Sequence, residues 1–259
     1  MHKINCDIMN NFMYAFLIST LAGLSTLIGC LFIFIKVKNI NRFLSISLSF
    51  SAIVMILISI FDLIPHSFFT LFFKFKYIGL IVAVISFIIG MLLILLSDKI
   101  IYKLESKGSS LYKLGIISAI VLVLHNVPEG IITFLTSESN LSLGIKIAIA
   151  ITLHNIPEGI CIAVPIYYST KSKKRAIKTT LISGLSEPLG ALITYLFLYK
   201  YITTDLLHII FILVAGIMIT LAINDIFKES IKYSEKHNKY IYIGVLLGII
   251  FFIIGLFFG

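Results

Sequence analysis

The sequence predicts an all-α polytopic membrane protein with eight transmembrane helices. Of its 259 residues, 59% are hydrophobic and only 13% are charged, and the mean hydropathy is +1.08. A water-soluble domain of this size carries more charge. Apolar runs of about 20 residues are long enough to cross a bilayer. Eight such runs occur, at 12–35, 43–65, 76–97, 114–136, 143–168, 177–199, 206–227 and 240–258.

These runs fill nearly the whole chain. The connections between them are short, so we expect residues 1–259 to form a single integral membrane domain. The cysteines, Cys6, Cys30 and Cys161, do not form a disulfide framework, and two of them lie in apolar runs.

Basic residues are distributed unevenly between the two sides of the predicted membrane. With eight spans, 16 of the 21 Lys and Arg residues fall on one side. Basic connections stay in the cytoplasm, which predicts a protein of the cytoplasmic membrane with both termini extracellular. The same distribution accounts for the net charge of +9 without a nucleic-acid partner.

One polar hexad occurs twice inside the apolar runs, as HNVPEG at 125–130 and HNIPEG at 154–159. In each copy His and Glu are four residues apart and Asn and Glu three, so all three side chains project from one helical face. Imidazole, carboxylate and amide oxygens together suit a divalent metal ion of intermediate softness. The candidate ligands are His125, Asn126, Glu129, His154, Asn155 and Glu158.

A purely structural polar contact is the alternative for either copy alone. Two matching copies in successive helices make it much weaker, because ionisable groups inside a membrane are functional by default.

Carboxylates in the spans lack basic partners. Asp62, Glu129, Glu158, Glu187 and Asp225 lie within the apolar runs, whereas Lys and Arg stay near the ends. Each ionised carboxylate at the bilayer centre costs about 2.5–3.5 kcal/mol. The hexads and Glu187 lie about 15–18 Å into their spans, close to the midplane, so a bound cation is the natural partner.

An inverted repeat is predicted from a second internal match. Span 2 aligns with span 7 at an offset of 163 residues, pairing Met55 with Met218 and Asp62 with Asp225. The two spans run in opposite directions, which is typical of secondary transporters. We therefore expect helices 1–3 and 6–8 to be related around a central pair, helices 4 and 5. The two aspartates would then lie near opposite mouths of a pathway.

The paired hexads resemble the fourth and fifth helices of the ZIP (Zrt/Irt-like) family of metal-ion transporters, and 183–190 resembles the sixth. The resemblance implies import of divalent transition-metal ions. Zinc is the leading substrate, and iron, manganese and cadmium are further ones. These ions are transported substrates and not cofactors. It also implies a homodimer, and a helix set (spans 1, 4, 5 and 6) that slides against the rest.

The resemblance also implies two adjacent metal positions. Glu129 and Glu158 would lie between them and could bridge them. His125 and Met55 would serve the first position, and His154 could join it. The second position would use one amide oxygen from each hexad and one more carboxylate, namely Asn126, Asn155 and Glu187.

An intramembrane metal-dependent hydrolase is the rival function, with a glutamate as general base. Carboxylates at both mouths and the inverted repeat favour a pathway, so we expect a transporter and not an enzyme.

Overall fold

A computed structural model describes residues 2–104, 109–198, 203–234 and 238–257. Cys6 lies outside the residues whose side chains are described, and Cys30 and Cys161 are buried free thiols. The described residues are helical, with short connections and no strand. The α-helices are His2–Leu24, Ile40–Ile58, Ile64–Phe75, Tyr77–Leu104, Ser110–Ser139, Leu141–Thr170, Lys173–Gly184, Ser186–Ile193, Thr204–Leu221, Lys228–Lys232 and Lys239–Leu256.

Three of these helices continue directly into π-helical turns, and the first continues into a 3₁₀ segment. The 3₁₀ segment is Ser25–Phe34, and the π-helical turns are Ser59–Leu63, Thr194–Leu198 and Ala222–Phe227.

Together these elements form eight helices long and apolar enough to cross a membrane, which confirms the predicted fold class. The spans are Phe12–Phe34, Ile40–Phe75, Tyr77–Leu96, Ser110–Ser139, Leu141–Thr170, Lys173–Phe197, Thr204–Lys232 and Lys239–Leu256, numbered 1 to 8 below.

Span 2 is longer than the sequence predicts. The expected end was residue 65, but the helix continues to Phe75. Proline cannot donate the backbone hydrogen bond and its ring collides with the preceding turn of a regular helix. The wider turn Ser59–Leu63 ends two residues before Pro65, which therefore lies in the first turn of the helix Ile64–Phe75, where a proline is tolerated.

The spans pack as two bundles. Spans 1, 4, 5 and 6 contact one another closely, and we call them the site bundle; spans 2, 3, 7 and 8 form a second group, the support bundle. The main contact between the bundles joins span 2 to span 5.

Close glycine contacts lie inside the bundles. In the site bundle, Gly130 lies against the backbone of Glu187, and Gly159 lies against the backbones of Thr26 and Gly29. The support bundle has equivalent contacts between spans 3 and 7 and between spans 2 and 8. Among the described glycines, only Gly255 faces across the boundary, at an ordinary van der Waals distance. Each bundle is therefore held together by backbone contact, whereas the boundary is formed by side chains.

A single residue, Asn140, connects spans 4 and 5. Its backbone is extended (φ −150°, ψ 101°), and its side-chain oxygen accepts a hydrogen bond from the backbone N–H of Leu143 at 3.1 Å. This caps the start of span 5 and places the two hexad helices side by side.

The largest apolar cluster fills one half of the protein between the bundles. It combines buried residues of both, such as Cys30, Leu48, Leu122, Ile162 and Met218. Most of the cluster lies at the midplane or in the span halves that adjoin the basic connections, so this half is densely packed.

Candidate metal centre

The two hexads meet in the protein interior. His125 and Glu129 lie on span 4, and His154 and Glu158 lie on span 5; each is at most 6% exposed. Pro128 and Pro157 lie within continuous helices.

Glu129 lies between the two histidines. Its Oε1 atom is 3.0 Å from His125 Nε2 and 2.7 Å from His154 Nε2. The ligand atoms of these three residues all lie within 4.8 Å of one another. One carboxylate oxygen thus links the imidazoles of both hexads, and the second oxygen remains available.

Glu158 approaches the same group from span 5. Its Oε1 atom is 3.3 Å from His125 Nε2. Both hexad glutamates therefore contact His125, whereas His154 contacts Glu129.

The two asparagines have their amide hydrogens engaged. Asn126 Nδ2 donates to the carbonyl oxygen of Ser183 at 3.3 Å, and Asn155 Nδ2 donates to that of Ala22 at 2.9 Å. Asn155 Nδ2 also donates to Glu187 Oε1 at 2.5 Å. Since these bonds fix which end of each amide is which, the Oδ1 atoms are left as acceptors. Spans 1 and 6 thereby orient the second set of predicted ligands.

Buried oxygens without a hydrogen-bonding partner accumulate here. Of the described residues, Asn126, Asn155, Glu129, Glu187 and Glu158 each contribute one such atom, and Glu158 Oε1 has the 3.3 Å contact with His125 Nε2. Buried acceptors are normally satisfied, and leaving one unsatisfied costs about 1–3 kcal/mol. A cation would satisfy several of these oxygens at once.

Met55 lies in the apolar cluster. It is 1% exposed, and its sulfur lies 4.0 Å from Cys161 Sγ. This contact explains the burial of both sulfurs by packing, and the role of Met55 as a ligand stays a prediction.

The two predicted pathway aspartates lie in matching local structures. Asp62 lies in the π-helical turn Ser59–Leu63, and Asp225 in the turn Ala222–Phe227. Asp62 is exposed and Asp225 is partly buried. Such turns occur often at functional positions in helices.

A cavity of about 780 Å³ reaches the centre from one side. Glu129 and His154 line its inner end, and Asp62, His66 and His208 line it farther out. His208 is half-buried and contacts His66 and Ser67. The sequence analysis did not identify this pair of histidines. The predicted topology does, however, place the end of span 2 and the start of span 7 on the same side of the membrane.

The geometry agrees with the comparisons to known proteins. The family described as "ZIP Zinc transporter" matches residues 103–255. A protein named zinc transporter ZupT from Oceanobacillus iheyensis is 40% identical over 255 residues, covering 88% of this chain and 92% of the relative. The chain belongs to the ZIP family.

Further proteins with the same name are similar in sequence to this chain along most of their length. The one from Chlorobium luteolum is 41% identical over 246 residues, covering 88% of this chain and 92% of the relative. The one from Streptococcus mutans is 39% identical over 256 residues, covering 93% and 96%. ZIP proteins are transporters and not enzymes, which confirms that prediction and sets the hydrolase alternative aside.

Proposed function

We propose that the chain imports divalent transition-metal ions across the cytoplasmic membrane, with zinc as the main substrate and iron, manganese and cadmium as further ones. The observation that carries this proposal is the buried group of two imidazoles and five unpartnered carboxylate and amide oxygens. Mixed nitrogen and oxygen ligation suits these ions. The names of the relatives add zinc as the substrate of those proteins.

The centre would bind two ions, sharing Glu129 and Glu158. His125 and His154, with Met55, would complete the first position. Support comes from the contact of Glu129 Oε1 with both imidazoles. The second position would use Asn126, Asn155 and Glu187, whose orientation by backbone carbonyls supports it.

The cavity supports access from outside. It opens toward the connections that are poor in Lys and Arg, whereas the apolar cluster fills the half near the basic connections. By the positive-inside rule the cavity faces outward and both termini are extracellular. The protein would thus be in an outward-open state.

Transport would require the two bundles to shift. The division of close glycine contacts into two bundles supports a sliding site bundle. The inverted repeat is supported by the π-helical turns, which begin at Ser59 and Ala222 and so preserve the offset of 163 residues. Asp62 would collect ions outside, and Asp225 would accept them inside. We also propose that residues 1–259 act as one transport domain, within a homodimer in the bilayer.

Zinc uptake into proteoliposomes that contain only the purified protein tests the function. We expect uptake that cadmium and Fe²⁺ inhibit by competition and Mg²⁺ does not. Accumulation equal to that of protein-free liposomes, with the protein shown to be folded, would refute import by this chain.

A further inference from the structure

A second metal-binding site is formed, we propose, by His66, His208 and Asp62 at the outer mouth of the cavity. It would take zinc or a similar borderline ion from outside before the ion reaches the buried centre. This role rests on the proposed import function, but the binding itself does not.

The two histidines come together from different spans. His66 lies on span 2 and His208 on span 7, and their ring centroids are 5.2 Å apart at an interplanar angle of 59°. Both line the cavity whose inner end is Glu129 and His154. Of the six histidines in the sequence, two therefore belong to the buried centre and two to its approach.

Ser67 supplies an orienting contact of the kind that metal-binding histidines usually have. Its Oγ atom is 3.3 Å from His208 Nδ1. When Nδ1 donates its hydrogen to this hydroxyl, Nε2 keeps its lone pair, which is the form that binds a metal. Ser67 itself is 1% exposed, so its hydroxyl is held in place by the surrounding helices.

Asp62 adds a carboxylate from the same helix as His66. Asp62 lies in the π-helical turn that precedes His66, and both residues line the cavity. A nearby acidic residue, Asp205, is engaged by Lys74 Nζ at 2.6 Å, so it is not counted as a ligand. Lys146 also lines the cavity. It lies on span 5 of the site bundle, whereas the three proposed ligands lie on spans 2 and 7 of the support bundle.

The ligand set selects the ion. Two imidazoles with one carboxylate suit Zn²⁺ and related transition metals, whereas Ca²⁺ and Mg²⁺ prefer all-oxygen sites. A site at the mouth would therefore concentrate transition metals against an excess of alkaline-earth ions. All three residues lie in the support bundle. They would therefore transfer the ion to the buried centre and would not move with the sliding site bundle.

Metal binding by full-length protein with the buried centre disabled tests the site. In the Glu129→Gln/Glu158→Gln variant, we expect equilibrium dialysis to show one bound Zn²⁺ per chain. Adding His66→Ala or His208→Ala should abolish that binding. Ser67→Ala should weaken it about tenfold, as the loss of an orienting partner does. His237→Ala, which removes a histidine outside the described residues, is the matched control and should change nothing.

Replacing both histidines by cysteine distinguishes a metal-binding role of His66 and His208 from a purely structural one. His66→Cys/His208→Cys should restore binding under reducing conditions, now with a preference for Cd²⁺, because thiolates favour softer ions. In chains with an intact centre, His66→Ala should raise the zinc concentration for half-maximal uptake and leave the maximal rate unchanged.

Two results would overturn the proposal. One is that the disabled-centre variant, shown to be folded by its melting profile, binds no zinc; the other is that its binding survives both histidine substitutions. Failure of the import function would instead appear as absent uptake by wild-type protein while this binding persists.

Discussion

Replacing Glu129 by glutamine tests the shared carboxylate of the buried centre. The substitution keeps the shape of the side chain and one oxygen, so the contacts at 2.7 Å to His154 and 3.0 Å to His125 can persist. It removes one negative charge beside a divalent ion. At a separation of about 4 Å and an effective dielectric constant of about 20, the interaction energy of two unit charges is about 4 kcal/mol.

For a doubly charged ion the loss is at least this large, and about 4 kcal/mol corresponds to roughly a thousandfold in affinity. We therefore expect Glu129→Gln to abolish zinc uptake at micromolar concentrations while the protein remains folded in the membrane. Because both ions would share it, raising the zinc concentration tenfold should not restore the rate.

The assay is zinc uptake into proteoliposomes with matched amounts of protein, alongside zinc binding by calorimetry. Glu138→Gln is the matched control, since it makes the same charge change on the same helix outside the centre, and it should transport normally. Uptake by Glu129→Gln at the wild-type rate would show that this carboxylate does not hold the transported ion.

Three further outcomes are expected. His125→Ala should reduce zinc uptake more than Asn126→Ala, because the imidazole serves the first metal position and the amide oxygen the second; the reverse order in uptake assays would exchange these assignments. Asp62→Asn should raise the external KM for zinc, and Asp225→Asn should lower the maximal rate, both measured in vesicles of known orientation; unchanged values in both variants would exclude a relay. Gly130→Val should lower the melting temperature and the uptake rate together, since its side chain would separate span 4 from Glu187 on span 6 and overpacking costs about 1–3 kcal/mol; a wild-type melting profile would contradict the close contact.

Much of the fold could be predicted because length and hydropathy alone determine which segments can cross a bilayer. The end of span 2 could not, since whether a helix stops at Pro65 depends on the turn Ser59–Leu63 before it. Hydropathy carries no signal for a wider turn.

The centre was predictable to the extent that its ligands repeat in sequence. The contact of Glu129 with His125 and His154 follows from two hexads on adjacent helices. The partners of the asparagine amides are backbone carbonyls, which any residue supplies, so no sequence pattern reveals them. His66 and His208 are far apart in the chain, and their meeting depends on how spans 2 and 7 cross.

The single-residue connection at Asn140 bears on how the chain enters the membrane. Span 4 emerges from the ribosome with Glu129 in contact with His125 but without His154, and an ionised carboxylate at the bilayer centre costs about 2.5–3.5 kcal/mol. At roughly 5–20 residues per second, the next 30 residues follow within a few seconds. Because the turn at Asn140 is so tight, span 5 can only arrive alongside, where His154 meets Glu129 at 2.7 Å. The two polar helices are thus positioned to insert as a hairpin, each supplying the polar contact that the lipid cannot.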